Sequence, residues 1–301
     1  MINLRGYMIL AAIGFATVFT ACNNEDEVAG EIEDAIAIEE DAQIDKSFEQ
    51  AKEVFYSLPS PVETAMLMKR AGAKYNEEYL NPIKNLSKYS TTKSMAINLG
   101  IYSADLSFAS MFDQSQASIN YLTATKKLAE NLGILNAVEA STIKRMEGNI
   151  NNRDSLMEII SETLMNSNSF LKENDRAEVA ALILTGSWAE GLYIAVKIAE
   201  STDNNDEIIK RIIDQRLSLK TLNQLLDSYK DDENISSVIA DLAEITSLFE
   251  EVEVASSKTE AVKDENGKTV LKNSTKATLT PEQFTKLATV VDELRNNMTN
   301  N

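Results

Sequence analysis

The sequence predicts an all-α protein, a multi-helix bundle with one β-hairpin inserted near its C-terminus. Apolar residues recur at the three- and four-residue spacing of amphipathic helices through most of residues 47–301. Helix breakers are rare, with 4 prolines and 10 glycines among 301 residues. The hairpin is predicted by Asn266-Gly267, because this dipeptide suits the tight turn of a β-hairpin and stands between Thr/Val-rich stretches over 252–279.

The composition is that of a folded and strongly acidic chain. Hydrophobic residues make up 44% and charged residues 25%, as in ordinary globular proteins, and the net charge is −18. This charge repels phosphate backbones and excludes nucleic acid as a partner. The chain has no histidine and a single cysteine, Cys22, so a His-activated nucleophile and a zinc site of Cys and His ligands are excluded. We expect no metal and no cofactor.

Residues 1–21 have the features of an export signal. Arg5 gives a basic start, and the apolar run from Met8 to Phe19 is too short to span a bilayer. The run ends in Phe19-Thr20-Ala21-Cys22, which resembles the lipobox of bacterial lipoproteins. The resemblance implies that Cys22 is lipidated and becomes the first residue of the mature chain, held on the membrane by that lipid. The alternative is an ordinary signal peptide followed by a chance cysteine.

The residues after the cysteine bear on the address of the protein. Asn23 in the second mature position resembles lipoproteins sent to the outer membrane, and the acidic cluster Glu25-Asp26-Glu27 resembles the surface-export signal of Bacteroidota lipoproteins. We therefore expect an outer-membrane lipoprotein of the cell envelope, exposed at the surface. Residues 22–46 contain no Lys or Arg before Lys46 and form either a solvated tether or a frayed acidic helix. The helical domain follows over 47–301.

Helices before residue 200 are predicted between proline, glycine and polar breaks. Pro61 opens the second predicted helix, Gly133 stops the helix predicted over 116–132, and Asp154 is the expected N-cap of the helix predicted over 154–171. The helix predicted over 177–199 is the most apolar, but Gly186 and Glu190 interrupt it, which favours a central buried helix over a membrane span. The predicted ranges are 47–58, 63–68, 91–113, 116–132, 134–146, 154–171 and 177–199.

Two amphipathic helices and a last helix complete the domain. Ile212, Leu219 and Leu226 recur every seven residues, and the stripe from Ile235 to Val252 marks the next helix, so these neighbours are expected to pack antiparallel. Thr280-Pro281-Glu282-Gln283 has the pattern of a capping box and opens the last helix. The Asn/Thr tail from Asn296 is expected to fray.

Two of the helices carry similar sequences. Gly100 and Tyr102 in one helix match Gly186 and Trp188 in the other at the same spacing. The match indicates either an old helical duplication or the ordinary similarity of amphipathic helices. The glycines, with Gly191, either allow close helix contact or leave room for a ligand, because glycine otherwise disfavours a helix interior.

The candidate catalytic residues are Asp105 and Glu190. Asp105 lies one helical turn from Tyr102, and Glu190 lies two residues after Trp188. An acid in an apolar helix acquires a raised pKa, and two such acids lining one cleft would resemble the carboxyl pair of a glycosidase, with Tyr102 and Trp188 as ligand-binding rings. The alternative is that both acids reach the surface or pair with Lys or Ser.

Two acidic segments, 203–207 and 231–234, have oxygen ligands suited to Ca²⁺, but neither has EF-hand spacing and both precede helices, where such residues serve as caps.

The leading functional hypothesis is a membrane-tethered, non-enzymatic interaction or binding module with envelope proteins as partners. The alternatives are an envelope hydrolase that uses Asp105 and Glu190, and a carrier that holds a small ligand inside the bundle.

Overall fold

The structure, a computed structural model, describes residues 72–135, 140–203, 205–256, 260–263, 269–272 and 275–300. The predicted signal peptide, Cys22, the acidic tether and the helices predicted over 47–58 and 63–68 lie outside these residues. The predicted turn at Asn266-Gly267 also lies outside them.

The described part of the chain is mainly helical, which confirms the predicted all-α class. Two short 3-10 helices, Glu77–Tyr79 and Ile83–Lys88, precede eight α-helices. These are α1 Thr92–Met111, α2 Ser115–Asn131, α3 Ala140–Gly148, α4 Arg153–Glu173, α5 Ala177–Glu200, α6 Asp206–Asp227, α7 Glu233–Glu250 and α8 Pro281–Asn300.

Local capping interactions set several of these boundaries. Asp232 caps α7 by accepting from two backbone N–H groups, and Thr280 and Gln283 form the predicted capping box before α8. Gly133 follows α2 with a φ of 72°, a conformation that glycine adopts without strain. The N-cap of α4 is Asn152, whose side chain accepts from Ser155 N at 3.2 Å, so the assignment of Asp154 was wrong. Asp154 lies in the first turn instead.

Helices α1 and α5 form the centre of the bundle and touch through their glycines. A Cβ added at Gly100 would overlap the carbonyl oxygen of Ile183, and one added at Gly186 would overlap the carbonyl oxygen of Ile97. The Ser187 hydroxyl donates to the Gly100 carbonyl oxygen at 3.0 Å across the same contact. Gly100 and Gly186 therefore serve close packing, as one of the two sequence interpretations expected.

The other helices pack around this pair in two similar sets. In the first set α1 packs on α2 and α4, and α3 packs on α4. In the second set α5 packs on α6 and α8, and α7 packs on α8. Helix α5 is long and apolar enough to cross a membrane, but 78% of its most apolar window is buried. Such burial is typical of the core helix of a soluble domain.

Short strand segments lie between α7 and α8. Strand β1, Glu253–Ser256, pairs antiparallel with β4, Thr275–Thr278, and β2, Glu260–Lys263, pairs antiparallel with β3, Thr269–Lys272. The residues that would join the paired segments, at 257–259, 264–268 and 273–274, lie outside the described residues. A continuous hairpin therefore stays a prediction.

One boundary prediction was wrong, and another stays a prediction. Helix α3 is described from Ala140 onwards, and residues 136–139, between it and Ile134, lie outside the described residues. The Asn/Thr tail does not fray, because α8 continues to Asn300 and Thr299 is 2% exposed. The last turn is held by long-range hydrogen bonds from Asn98 and Tyr89 to the backbone of Met298 and Thr299.

Candidate functional site

Helices α1, α5 and α8 bring three ionisable side chains together in the core. Asp105 and Glu190, the two acids singled out in the sequence, are both 0% exposed, and Arg295 of α8 is 9% exposed. Buried ionised groups are strongly unfavourable unless they are paired and hydrogen-bonded. The arrangement of this carboxyl cluster, Asp105, Glu190 and Arg295, must therefore satisfy each charge.

Glu190 is paired with Arg295. The guanidinium donates from Nε to Oε2 at 3.1 Å and from Nη2 to Oε1 at 3.2 Å, which is the bidentate geometry of strong Arg–carboxylate pairs. Arg295 also lies over the ring of Tyr193, 4.8 Å from its centroid. The alternative sequence interpretation expected both acids to reach the surface or to pair with Lys or Ser. Glu190 is instead buried and paired with an arginine.

Asp105 is the second buried acid of the cluster. Its Oδ2 accepts from Asn81 N at 3.1 Å, while Oδ1 has no hydrogen-bond partner among the described residues. Burial, followed by the negative charge of Glu190, raises the pKa of Asp105 well above its ordinary value, and the positive charge of Arg295 opposes the rise. Burial also raises the pKa of Glu190, but Arg295 opposes that shift. The cluster therefore favours a protonated Asp105 beside an ionised Glu190 that is paired with Arg295.

A shell of amide and phenol groups encloses Asp105. Asn81 Nδ2 donates to the Tyr89 hydroxyl at 2.9 Å and to Asn98 Oδ1 at 3.2 Å, and the Tyr121 hydroxyl donates to the Asn81 carbonyl oxygen at 3.2 Å. These bonds fix the backbone N–H that Asp105 accepts. The shell supplies a hydrogen-bonded polar surrounding inside an apolar core, in which Asp105 Oδ1 is left without a partner among the described residues.

The two predicted ligand-binding rings lie in the core as well. Tyr102 is 0% exposed and donates its hydroxyl to the Pro82 carbonyl oxygen at 3.2 Å, and burial raises the pKa of that phenol. Trp188 is 2% exposed, and its Nε1 has no acceptor among the described residues. Both rings therefore contribute apolar packing to the same core region.

The pH dependence of stability tests the proton on Asp105. In the unfolded chain the pKa of an Asp side chain is about 3.9. Because the pKa is raised in the fold, the folded state keeps a proton that the unfolded state releases above that pH. The stability that this proton contributes is fully present below the pKa of Asp105 in the unfolded chain. It is lost as the pH rises towards the pKa of Asp105 in the fold, by up to about 1.4 kcal/mol per pH unit.

We expect Asp105→Asn to remove this slope, because the amide donates to Glu190 and accepts from Asn81 without a titrating proton. The measurement is the free energy of unfolding by urea for both proteins at about pH 5 and about pH 7. The free energy of unfolding of the variant should increase relative to that of the wild type as the pH rises. A difference that does not change with pH would contradict a protonated Asp105, and Asp241→Asn on the exposed face of α7 serves as the control.

An apolar cavity lies apart from the carboxyl cluster, among α1, α2, α3, α4 and α5. It offers about 100 Å³ to water-sized groups. Its walls are mainly buried aliphatic side chains, and neither Asp105 nor Glu190 lines it. The apolar lining residues are Leu99, Leu106, Leu122, Ala129, Ile134, Leu135, Ile143, Met146, Ile160 and Ile183.

Among the described residues no cluster of three or more Asp, Glu, Cys or His side chains is placed to hold a metal ion. The residue that the sequence interpretation missed is Arg295. A signal for it existed, since Val291, Arg295 and Thr299 follow one another at four-residue spacing on the buried face of α8. A cation on an apolar face indicates a buried acid nearby.

No protein-family model, no functionally curated protein and no solved structure matches this chain.

Proposed function

We propose that this protein is a lipoprotein of the bacterial outer membrane, lipidated at Cys22 and exposed at the cell surface, whose helical body is a non-enzymatic binding module of the envelope. The lipobox-like sequence before Cys22 and the acidic residues behind it support the address. Envelope proteins are the proposed partners, and the acidic charge of −18 favours basic surfaces on them.

The observation that carries the non-enzymatic role is the burial of both candidate acids. Asp105 and Glu190 are 0% exposed, and each is neutralised within the carboxyl cluster. General acid and base groups must come within hydrogen-bond reach of a substrate. A substrate would meet these carboxyls only after the core had opened.

Substitution of the lipid attachment site tests the anchor. We expect Cys22→Ser to abolish incorporation of labelled fatty acid and to move the protein from the membrane to the soluble fraction, because no other cysteine can take the lipid. The measurement is metabolic labelling followed by membrane flotation. Asn23→Ala is the control and should keep the lipid. A Cys22→Ser protein that stays membrane-bound and is processed as before would contradict the anchor.

The surface location has a separate readout. Protease added to intact cells should remove the wild-type domain, whereas replacing Glu25, Asp26 and Glu27 by Ala should protect it and leave the lipid in place. A wild-type protein that resists protease on intact cells would contradict the surface position alone.

The hydrolase alternative is motivated by one observation, since Asp105 and Glu190 interact within one buried cluster. The acid pair of a glycosidase is separated by about 5 Å or more, and Glu190 is already paired with Arg295. This alternative predicts that purified protein cleaves envelope glycans and that the folded Asp105→Asn variant does not. The carrier alternative is favoured by the apolar cavity, which holds space for a small group inside the bundle.

Two finer features of the fold are also proposed. The nested antiparallel pairing of β1 with β4 and of β2 with β3 supports one hairpin over 252–279. Gly100 lies three residues after Ile97, and Gly186 lies three residues after Ile183. Because Gly100 contacts Ile183 and Gly186 contacts Ile97, this equal spacing supports a duplication that relates α1–α4 to α5–α8.

A further inference from the structure

We propose that the apolar cavity binds a small anionic amphiphile, whose short alkyl or aromatic group fills the cavity and whose negative group pairs with Lys126. This inference goes beyond the proposed binding of envelope proteins and gives the carrier alternative a ligand class.

The walls define the part of the ligand that enters. Leu106 is 2% exposed, Ile134 1% and Ile183 3%, so the inner wall of the cavity belongs to the core, while the exposed Lys126 lies at its open side. A dry cavity of about 150 Å³ with Leu, Ile and Phe walls holds benzene. A cavity of about 100 Å³ suits a short alkyl chain or a group slightly smaller than a benzene ring.

The hydroxyl groups along the cavity do not provide donors for a polar ligand. Ser103 donates to the Leu99 carbonyl oxygen at 2.7 Å, and Thr125 donates to that of Leu122 at 2.9 Å. Thr163 donates within its helix in the same way. A polar group placed deep in the cavity would lose its hydration without compensation, so the entering part of the ligand must be apolar.

Lys126 supplies the charge at the margin. It lines the cavity and is exposed, and no carboxylate of the described residues lies within salt-bridge distance of it, although its charge also acts on Glu130 one turn further along α2. Its neighbour Lys127 differs, because that side chain pairs with Glu130 at 2.9 Å and does not line the cavity. In a chain of net charge −18, a lysine without an ion pair beside an apolar cavity selects an anionic group.

The test uses the purified full chain and measures binding by calorimetry, with titration into buffer alone as the blank. The probes are benzene, hexanoate and hexylamine, the last two having the same tail and opposite charge. We expect benzene and hexanoate to bind and hexylamine to bind about fivefold more weakly than hexanoate, as an exposed ion pair allows.

Two matched pairs of variants locate the site. Lys126→Glu should weaken hexanoate binding about fivefold and Lys127→Glu should not, although both change the net charge equally. Ser103→Leu should fill the cavity and weaken benzene and hexanoate more than about tenfold, whereas Ser107→Leu, one turn further along α1 and outside the lining, should have no effect.

Each other outcome contradicts a stated part of the inference. If benzene does not bind, or if Ser103→Leu and Ser107→Leu behave alike, the cavity is not a binding site. If hexanoate and hexylamine bind equally, or Lys126→Glu has no effect, the ligand is not anionic. The anchoring result with Cys22→Ser is independent of all these measurements, so failure here is distinguishable from failure of the proposed envelope function.

Discussion

Replacing both acids of the core, by Asp105→Asn together with Glu190→Gln, is expected to destabilise the fold by about 3–5 kcal/mol. The double variant leaves the guanidinium of Arg295, which is 9% exposed, without an anion. Deleting one partner of a buried ion pair has an effect of about this size, because the remaining charge keeps its desolvation penalty. The measurement is the free energy of unfolding in urea at neutral pH.

The single variants are expected to behave very differently from each other. Asp105→Asn keeps the ion pair between Glu190 and Arg295 and should change stability little at acidic pH. Glu190→Gln leaves Asp105 as the remaining acid near Arg295, whose positive charge lowers the pKa of Asp105. Asp105 should then ionise and restore part of the stability lost on removing Glu190. The effects of the two substitutions on the free energy of unfolding are therefore expected to be strongly non-additive.

A third substitution separates charge from packing. Arg295→Met, added to the double variant, removes the stranded cation and keeps much of the apolar volume, and we expect it to restore part of the lost stability. A double variant no less stable than Asp105→Asn alone would contradict the charge balance proposed for the carboxyl cluster. So would an Arg295→Met addition that lowers stability further.

The parts of the fold that the sequence predicted well are those governed by local interactions. Asp232, Thr280 and Gly133 act within one turn of their own helix ends, and the bounds beside them were predicted to within a few residues. The end of α8 was predicted wrongly, because Met298 and Thr299 are held by side chains about two hundred residues away in the sequence. A polar tail has no local signal for such bonds.

The candidate site divides in the same way. Asp105 and Glu190 were recognisable because an acid inside an apolar helix is unusual in sequence alone. That they meet in one cluster with a single arginine depends on the packing of α1, α5 and α8, which periodicity does not specify. The apolar cavity was beyond prediction for a related reason, since a void arises from how side chains of five helices fail to fill a space.

Substituting alanine at the central helix crossing is the second change expected to have a large effect. A Cβ at Gly186 would overlap the Ile97 carbonyl oxygen and lie 2.8 Å from its carbonyl carbon. Neither neighbour is a flexible side-chain end, so α1 and α5 must move apart. We expect Gly186→Ala, and by the same contact Gly100→Ala, to destabilise the fold by about 3 kcal/mol, the upper end of the usual effect of overpacking.

Gly191→Ala is the matched control, because it lies in α5 and its added Cβ would meet nothing within 4 Å. It should stabilise the protein by about 0.5–1 kcal/mol through helix propensity alone. Urea unfolding of the three variants measures both effects. Because Ile183 beside this crossing also lines the apolar cavity, Gly186→Ala should weaken hexanoate binding as well, whereas Gly191→Ala should not. Equal stability of Gly186→Ala and Gly191→Ala would mean that α1 and α5 do not meet backbone to backbone, and the geometry of both the carboxyl cluster and the cavity would then be different.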